Sequence, residues 1–149
     1  MRIYLDSSAL VKLAFVEAES SVLRAHLADR VSAGDQLVSS SIAWVEVGRA
    51  VRSRADIDAP ALVAAATDAA MEGVDEIRLS EQVVSVGRRV GPPTLRSLDA
   101  IHVASALVVA ADRMIAYDHR LLAAASYTIG SIEGFKDYLA ADRCTLPGK

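Results

Sequence analysis

The feature that most restricts this chain is an alternation. Four short strand-like runs, Ile3-Tyr4-Leu5, Gln36-Leu37-Val38-Ser39, Asp75-Glu76-Ile77-Arg78-Leu79 and Met114-Ile115-Ala116-Tyr117, are separated by longer stretches whose apolar residues recur at helical spacing. Strands that alternate with helices are joined by crossovers, which give a parallel sheet covered by helices on both faces. The expected fold is therefore α/β, a three-layer α/β/α sandwich around a central parallel sheet of four or five strands, with Tyr127-Thr128-Ile129 as the fifth. At 149 residues and 15.8 kDa, one such domain can bury roughly 70% of the surface of its unfolded chain. A single domain over residues 1–149 is expected, its last few residues a flexible tail.

The helices can be bounded from their start and stop signals. Asp6-Ser7-Ser8 ends the first run with capping residues, so a helix is expected over Ala9–Phe15. A second is expected from Ala18 to about Ser32, with Val22, Leu23, Leu27 and Val31 on its apolar face and Gly34 as its stop. A third runs from Ser41 to about Arg54, its face made by Ile42, Ala43, Val45, Val47, Ala50 and Val51, with Glu46 inside it. Pro60 and Gly73 bracket an Ala-rich helix, and Ser80 caps another that Gly91-Pro92-Pro93 ends. Leu98 to Ala111 is apolar nearly all round, as in a central buried helix, and a final amphipathic helix carries Phe135, Tyr138 and Leu139.

Composition narrows the function classes. The N-terminus reaches its charges too soon for a secretory signal, and no later segment offers about 18 apolar residues free of charge, so a soluble cytoplasmic protein with no membrane contact is expected. A single cysteine, Cys144, rules out an intrachain disulfide or an all-cysteine metal site. The net charge of −3 lacks the basicity of many nucleic-acid binders, which weighs mildly against that class.

Four acids stand out by position. In open parallel sheets ligands bind beyond the carboxyl ends of the strands, and Asp6 and Asp118 each follow a strand. Asp is also a preferred helix cap, which alone would explain either one. Asp99 opens a helix whose other faces are apolar; a first-turn acid favoured by the helix dipole is the plainer explanation. Glu46 lies mid-helix between Val45 and Val47, where pairing with Arg49 would be the ordinary role. Taken together, two acids fixed at strand ends and two on flanking helices describe an all-oxygen site, which selects Mg²⁺ or Mn²⁺ over zinc. Such cations activate water and neutralise phosphate, so no side-chain base is required.

The blocks carrying these acids, Ile3 to Leu13, Ser39 to Val47, Ser97 to Ala106 and Ile115 to Leu121, make the chain resemble the PIN-domain ribonucleases, specifically the VapC toxins of bacterial toxin–antitoxin pairs. The resemblance runs from the first strand to about Ala125 and rests on the order and spacing of the blocks. It implies a Mg²⁺- or Mn²⁺-dependent endoribonuclease, a homodimer, acting on cellular RNA and neutralised by a VapB-type antitoxin. The family's acids fall on Asp6, Glu46, Asp99 and Asp118, and its small hydroxyl residue on Ser8. Ala116 departs from the pattern, since the family often has Thr or Ser two places before the last acid.

Two other functions compete for the same residues. A haloacid-dehalogenase-like phosphatase also places Asp after its first strand, but wants a second Asp where this chain has Ser8. A non-catalytic PIN-like module that holds RNA or protein is the other, and four retained acids argue against it. His102 on an apolar helix is expected to be a hydrogen-bonded core residue, and His119 to sit at a helix start. Tyr4, Trp44 and Tyr117 are expected in the core rather than stacked on bases. Arg96 and Arg120 are the candidate phosphate contacts, with surface ion pairing as the alternative for each.

Overall fold

The computed structural model describes residues 1–18, 20–56, 59–118, 121–123 and 125. Its order of elements is β1 (Arg2–Leu5), α1 (Ser7–Ala14), α2 (Ser20–Ser32), β2 (Gln36–Ser40), α3 (Ser41–Arg54), α4 (Pro60–Ala70), β3 (Val74–Ile77), α5 (Glu81–Gly87), α6 (Ser97–Val108) and β4 (Arg113–Ile115). The four strands form one all-parallel sheet in the order β3-β2-β1-β4, as the alternation requires. The expected fifth strand at Tyr127-Thr128-Ile129 and the helix carrying Phe135, Tyr138 and Leu139 lie outside the described residues.

Strand periodicity divides the core in two. Successive strand residues point to opposite faces, so Ile3, Leu5 and Leu37 enter one cluster with Leu10, Leu27 and Val47, while Tyr4, Val38 and Met114 enter another with Val103 and Ala106. Helices α1, α2 and α3 thus cover one face, and α6 covers the other. This two-sided burial explains why β1 reads as a continuous apolar run rather than an alternating one.

Two strands are shorter than their apolar runs. The third strand was expected over Asp75–Leu79 but spans Val74–Ile77, because its partner β2 ends at Ser40, which pairs with Ile77 and then caps α3. The fourth was expected to reach Tyr117 but stops at Ile115. There the Asp6 N–H closes the ladder on the Ile115 carbonyl (3.0 Å), and the Tyr117 N–H turns to the Ser8 hydroxyl (2.8 Å).

The helices begin where the capping signals place them. Asp6, Ser40 and Ser80 cap α1, α3 and α5, and Pro60 opens α4. The apolar faces are narrower than expected. Leu23 and Leu27 of α2 are buried while Val22 and Val31 are 39% and 49% exposed; on α3, Ala43, Val47 and Val51 are buried while Val45 is 59% exposed. A helix lying on a sheet buries a single stripe, so apolar residues flanking that stripe face outward. Among the described residues no helix is long and apolar enough to cross a membrane.

Candidate active site

Asp6 sits where β1 gives way to α1, at the carboxyl end of its strand, and caps the helix. Its Oδ2 accepts the Ser8 N–H (2.9 Å) and the Ser8 hydroxyl (2.6 Å), which is the cap, while Oδ1 stands 3.5 Å from His102 Nε2. The Asp6 side chain is only 5% exposed, so these donors and the neighbouring imidazole are what make its burial tolerable. The Ser8 hydroxyl also accepts the Tyr117 N–H at 2.8 Å. One side chain therefore ties the end of β1 to the segment leaving β4, where Asp118 lies.

Glu46 does not turn to Arg49 in the solvent. Its Oε2 lies 2.7 Å from His102 Nε2, joining α3 to α6. The other ring nitrogen, Nδ1, is 2.7 Å from the Tyr4 hydroxyl, which also accepts the Ser40 N–H at 3.2 Å. Tyr4 is fully buried, and burial first of all drives its pKa far above the ordinary phenol range, so it remains a neutral donor. With the neutral ring, Tyr4 O–H donates to Nδ1 and Nε2–H is left to donate to Glu46. Burial of His102 opposes its charged form, but the Glu46 hydrogen bond and the charges of Asp6, Glu46 and Asp99 outweigh it and raise the imidazole's pKa. His102 is the hydrogen-bonded core histidine that its apolar helix led one to expect, and it is also the link between two of the candidate acids.

Asp99 lies half-buried in the first turn of α6, with the exposed Arg96 at the N-cap. Its carboxyl is pushed above 3.8 by burial first, then by the charges of Asp118 and Asp6, with His102 and Arg96 pulling the other way. Asp6, Glu46, Asp99 and Asp118 all line one cleft of about 550 Å³ at the carboxyl edge of the sheet, together with Ser8 and Arg96. Arg120 and His119 lie outside the described residues.

A PIN-domain family model matches residues 3–126, a span that takes in all four acids and all of the described sheet except Arg2. The chain belongs to the PIN-domain family. It is 38% identical over 122 residues to ribonuclease VapC47 of Mycobacterium tuberculosis, a match covering 80% of this chain and 87% of that protein. Ribonuclease VapC46 of the same organism is 39% identical over 130 residues, covering 86% of this chain and 92% of the relative. The crystal structure of M. tuberculosis VapC20, titled a sarcin-ricin loop cleaving toxin, superposes with a TM-score of 0.61 over 82% of this chain and 94% of that one, at 16% identity, a likeness of fold. The chain stands among the VapC members of the family.

Within this PIN domain the donor chemistry suits a hard divalent cation. The acids of the cleft offer carboxylate oxygen only; burial first and the charges of Asp118 and Asp6 next raise the Asp99 carboxyl, and a cation would relieve that repulsion. Among the described residues no three acid, histidine or cysteine side chains stand close enough to enclose an ion by themselves. That spacing is compatible with Mg²⁺, which keeps several waters and takes only one or two carboxylates directly.

The sequence missed two parts of this PIN domain's cleft. One is the His102 link to Glu46 and Asp6, whose signal was available: His102 follows Asp99 by three residues, which places both on the same side of α6. The other is a basic wall. Lys12 and Arg54 line the cleft with Glu17, and their distance from one another in the chain left no local pattern. Trp44 and Tyr117 pack partly buried against the first core cluster, and Ala116 against the second. Tyr117 also lines the cleft.

Proposed function

We propose that this PIN domain is the toxin of a toxin–antitoxin pair and cleaves cellular RNA at the acid cleft, dependent on Mg²⁺ or Mn²⁺. One observation carries the reading: four carboxylates, from the end of β1, from α3, from α6 and from the segment after β4, line a single cleft in a chain that closely resembles proteins named ribonuclease VapC. Asp6, Glu46, Asp99 and Asp118 would hold the cation between them, one or two directly and the others through its waters. When bound, it supplies an activated water and neutralises charge on the scissile phosphate.

The protein's own groups prepare that chemistry. Ser8 holds Asp6 in a single rotamer through two hydrogen bonds and fixes the approach of the Asp118 segment. His102 holds Glu46 at the cleft wall, and is held in turn by Tyr4. Arg96, exposed at the cleft rim, would contact a phosphate of the RNA chain, and Arg120 is the second candidate for that role.

Two assembly expectations belong to the same reading. A VapB-type antitoxin would enter the cleft with an Arg, whose fork can bridge two carboxylates. The toxin itself would be a homodimer, so that sedimentation gives twice 15.8 kDa.

The direct test incubates labelled RNA with the protein in Mg²⁺, Mn²⁺ or EDTA, beside an Asp6→Asn variant. Cleavage is expected with either metal, lost in EDTA and reduced by at least about a hundredfold in the variant, the scale of losing one group fixed for the transition state. Intact RNA under every condition at high protein concentration would make the protein a binding module instead.

A further inference from the structure

Two cations from different helices converge on one carboxylate in the wall of the cleft. Lys12 Nζ lies 2.8 Å from Glu17 Oε2, and Arg54 Nη1 lies 2.6 Å from Glu17 Oε1. Each carboxylate oxygen thus has its own cation, the arrangement a phosphate offers with two unesterified oxygens. Both cations are steadied by aromatic rings: Lys12 lies over Tyr117, 4.7 Å from its centroid, and Arg54 over Phe15 at 5.3 Å. Lys12 and Arg54 stand in the last turns of α1 and α3, the helices that carry Asp6 at one N-terminus and Glu46 midway along the other. By helical rise the two cations lie roughly 9 and 12 Å further along their helices than those acids. An RNA strand whose scissile phosphate met the acids would carry a neighbouring phosphate toward the pair.

We infer that Lys12 and Arg54 form a second, non-catalytic phosphate subsite for a nucleotide flanking the scissile one, and that Glu17 is a built-in competitor occupying it until RNA arrives. The inference rests on RNA being the substrate. Glu17 belongs to the segment between α1 and α2, with its side chain 31% exposed, and Arg54 is 53% exposed against 14% for Lys12, so the Arg54 bridge is of the surface kind that a better anion displaces at small cost. The three side chains together carry a net charge of +1, because Glu17 offsets one of the two cations; without its carboxylate they would carry +2 facing an anionic chain.

The test measures affinity for a fluorescent single-stranded RNA by anisotropy across a salt series, in EDTA so that no cutting interferes. Glu17→Gln is expected to bind roughly two- to tenfold more tightly than wild type. Arg54→Gln is expected to bind more weakly, with the slope of log affinity against log salt shallower by about 0.7 for the lost contact. Glu72→Gln, exposed beyond the end of α4 and away from the cleft, matches the charge change and is expected to behave as wild type. With metal restored, Glu17→Gln is expected to lower KM while kcat holds, a split that a merely structural Glu17 would not give. Equal tightening by Glu17→Gln and Glu72→Gln, equal affinity across all variants, or no binding by any of them overturns the subsite. So does a Glu-rich peptide displacing RNA from wild type and not from Arg54→Gln, which would assign the wall to a protein partner. Failure of wild type to cut RNA on adding Mg²⁺ removes the proposed reaction; the EDTA affinities judge the subsite independently of it.

Discussion

Replacing Asp99 with Asn keeps the shape of the side chain and removes one negative charge from the cleft. The folded carboxyl's pKa is raised from 3.8 by burial first and by Asp118 and Asp6 next. A carboxyl with a raised folded pKa binds its proton more tightly when folded, so its ionisation opposes folding. That penalty is absent below the unfolded value and grows as pH rises through the folded one. In EDTA near pH 7 the Asn variant is therefore expected to melt at or above wild type, with the difference fading toward about pH 4. An acid present only to offset the dipole of α6 behaves oppositely, and its loss costs about 0.3–1 kcal/mol. Metal gives the second measurement. A cation at 100 times its Kd, binding only the folded chain, adds about 2.7 kcal/mol, roughly 5–11 °C in Tm for a chain of this size. If Asn weakens binding tenfold, the gain at the same concentration falls to about 1.4 kcal/mol, or roughly 3–6 °C. Circular-dichroism melts of both proteins in EDTA and in Mn²⁺ read all four values. An Asn variant that melts lower in EDTA and keeps the full Mn²⁺ shift would refute the ligand role of Asp99.

Tyr4→Phe leaves the Ser40 N–H and His102 Nδ1 buried without their shared partner, and is expected to cost about 2–4 kcal/mol in urea unfolding; a loss under about 1 kcal/mol would mean that the network contributes little. Ser8→Ala removes the hydroxyl that donates to Asp6 and accepts the Tyr117 N–H, so metal affinity and cleavage should fall roughly 10–100-fold and Ser8→Thr should restore them. If Thr fails where Ser succeeds, the hydroxyl is not what matters. Antitoxin affinity, measured by calorimetry, is expected to weaken as Mg²⁺ rises, because an Arg and a cation would share the same carboxylates; an affinity indifferent to Mg²⁺ would remove direct occlusion.

Much of the fold could be read locally because its central elements are governed by local rules. β1 and β2 are buried on both faces, and α3 begins at the Ser40 cap and ends at Arg54 within the range its pattern gives. The two outer strands of the described sheet escaped such reading. β3 and β4 end where their partners end, and a partner 37 or 110 residues away leaves no mark on the strand's own sequence. The same limit applies to the cleft. Asp6 and Asp118 were legible as strand-end acids and Asp99 as an acid entering an apolar helix. The Glu46–His102 bond spans 56 residues and the Arg54–Glu17 bridge 37, so both are products of topology. Val45 and Val31 were misplaced because an amphipathic count does not say how wide a stripe the sheet will cover.

The central claim is that the acids of the cleft direct a metal-activated water onto an RNA phosphodiester, and the identity of the nucleophile tests it most directly. A water attack needs no neighbouring 2′-hydroxyl, whereas metal-free RNA cleavage by that hydroxyl leaves a 2′,3′-cyclic phosphate. An RNA with one 2′-deoxy nucleotide at the mapped cleavage site, incubated with protein and Mg²⁺, is expected to be cut as the all-ribose strand is, giving linear phosphate ends and none of the cyclic product. Cleavage that persists in EDTA, stops at the deoxy substitution and yields cyclic phosphate would contradict the account.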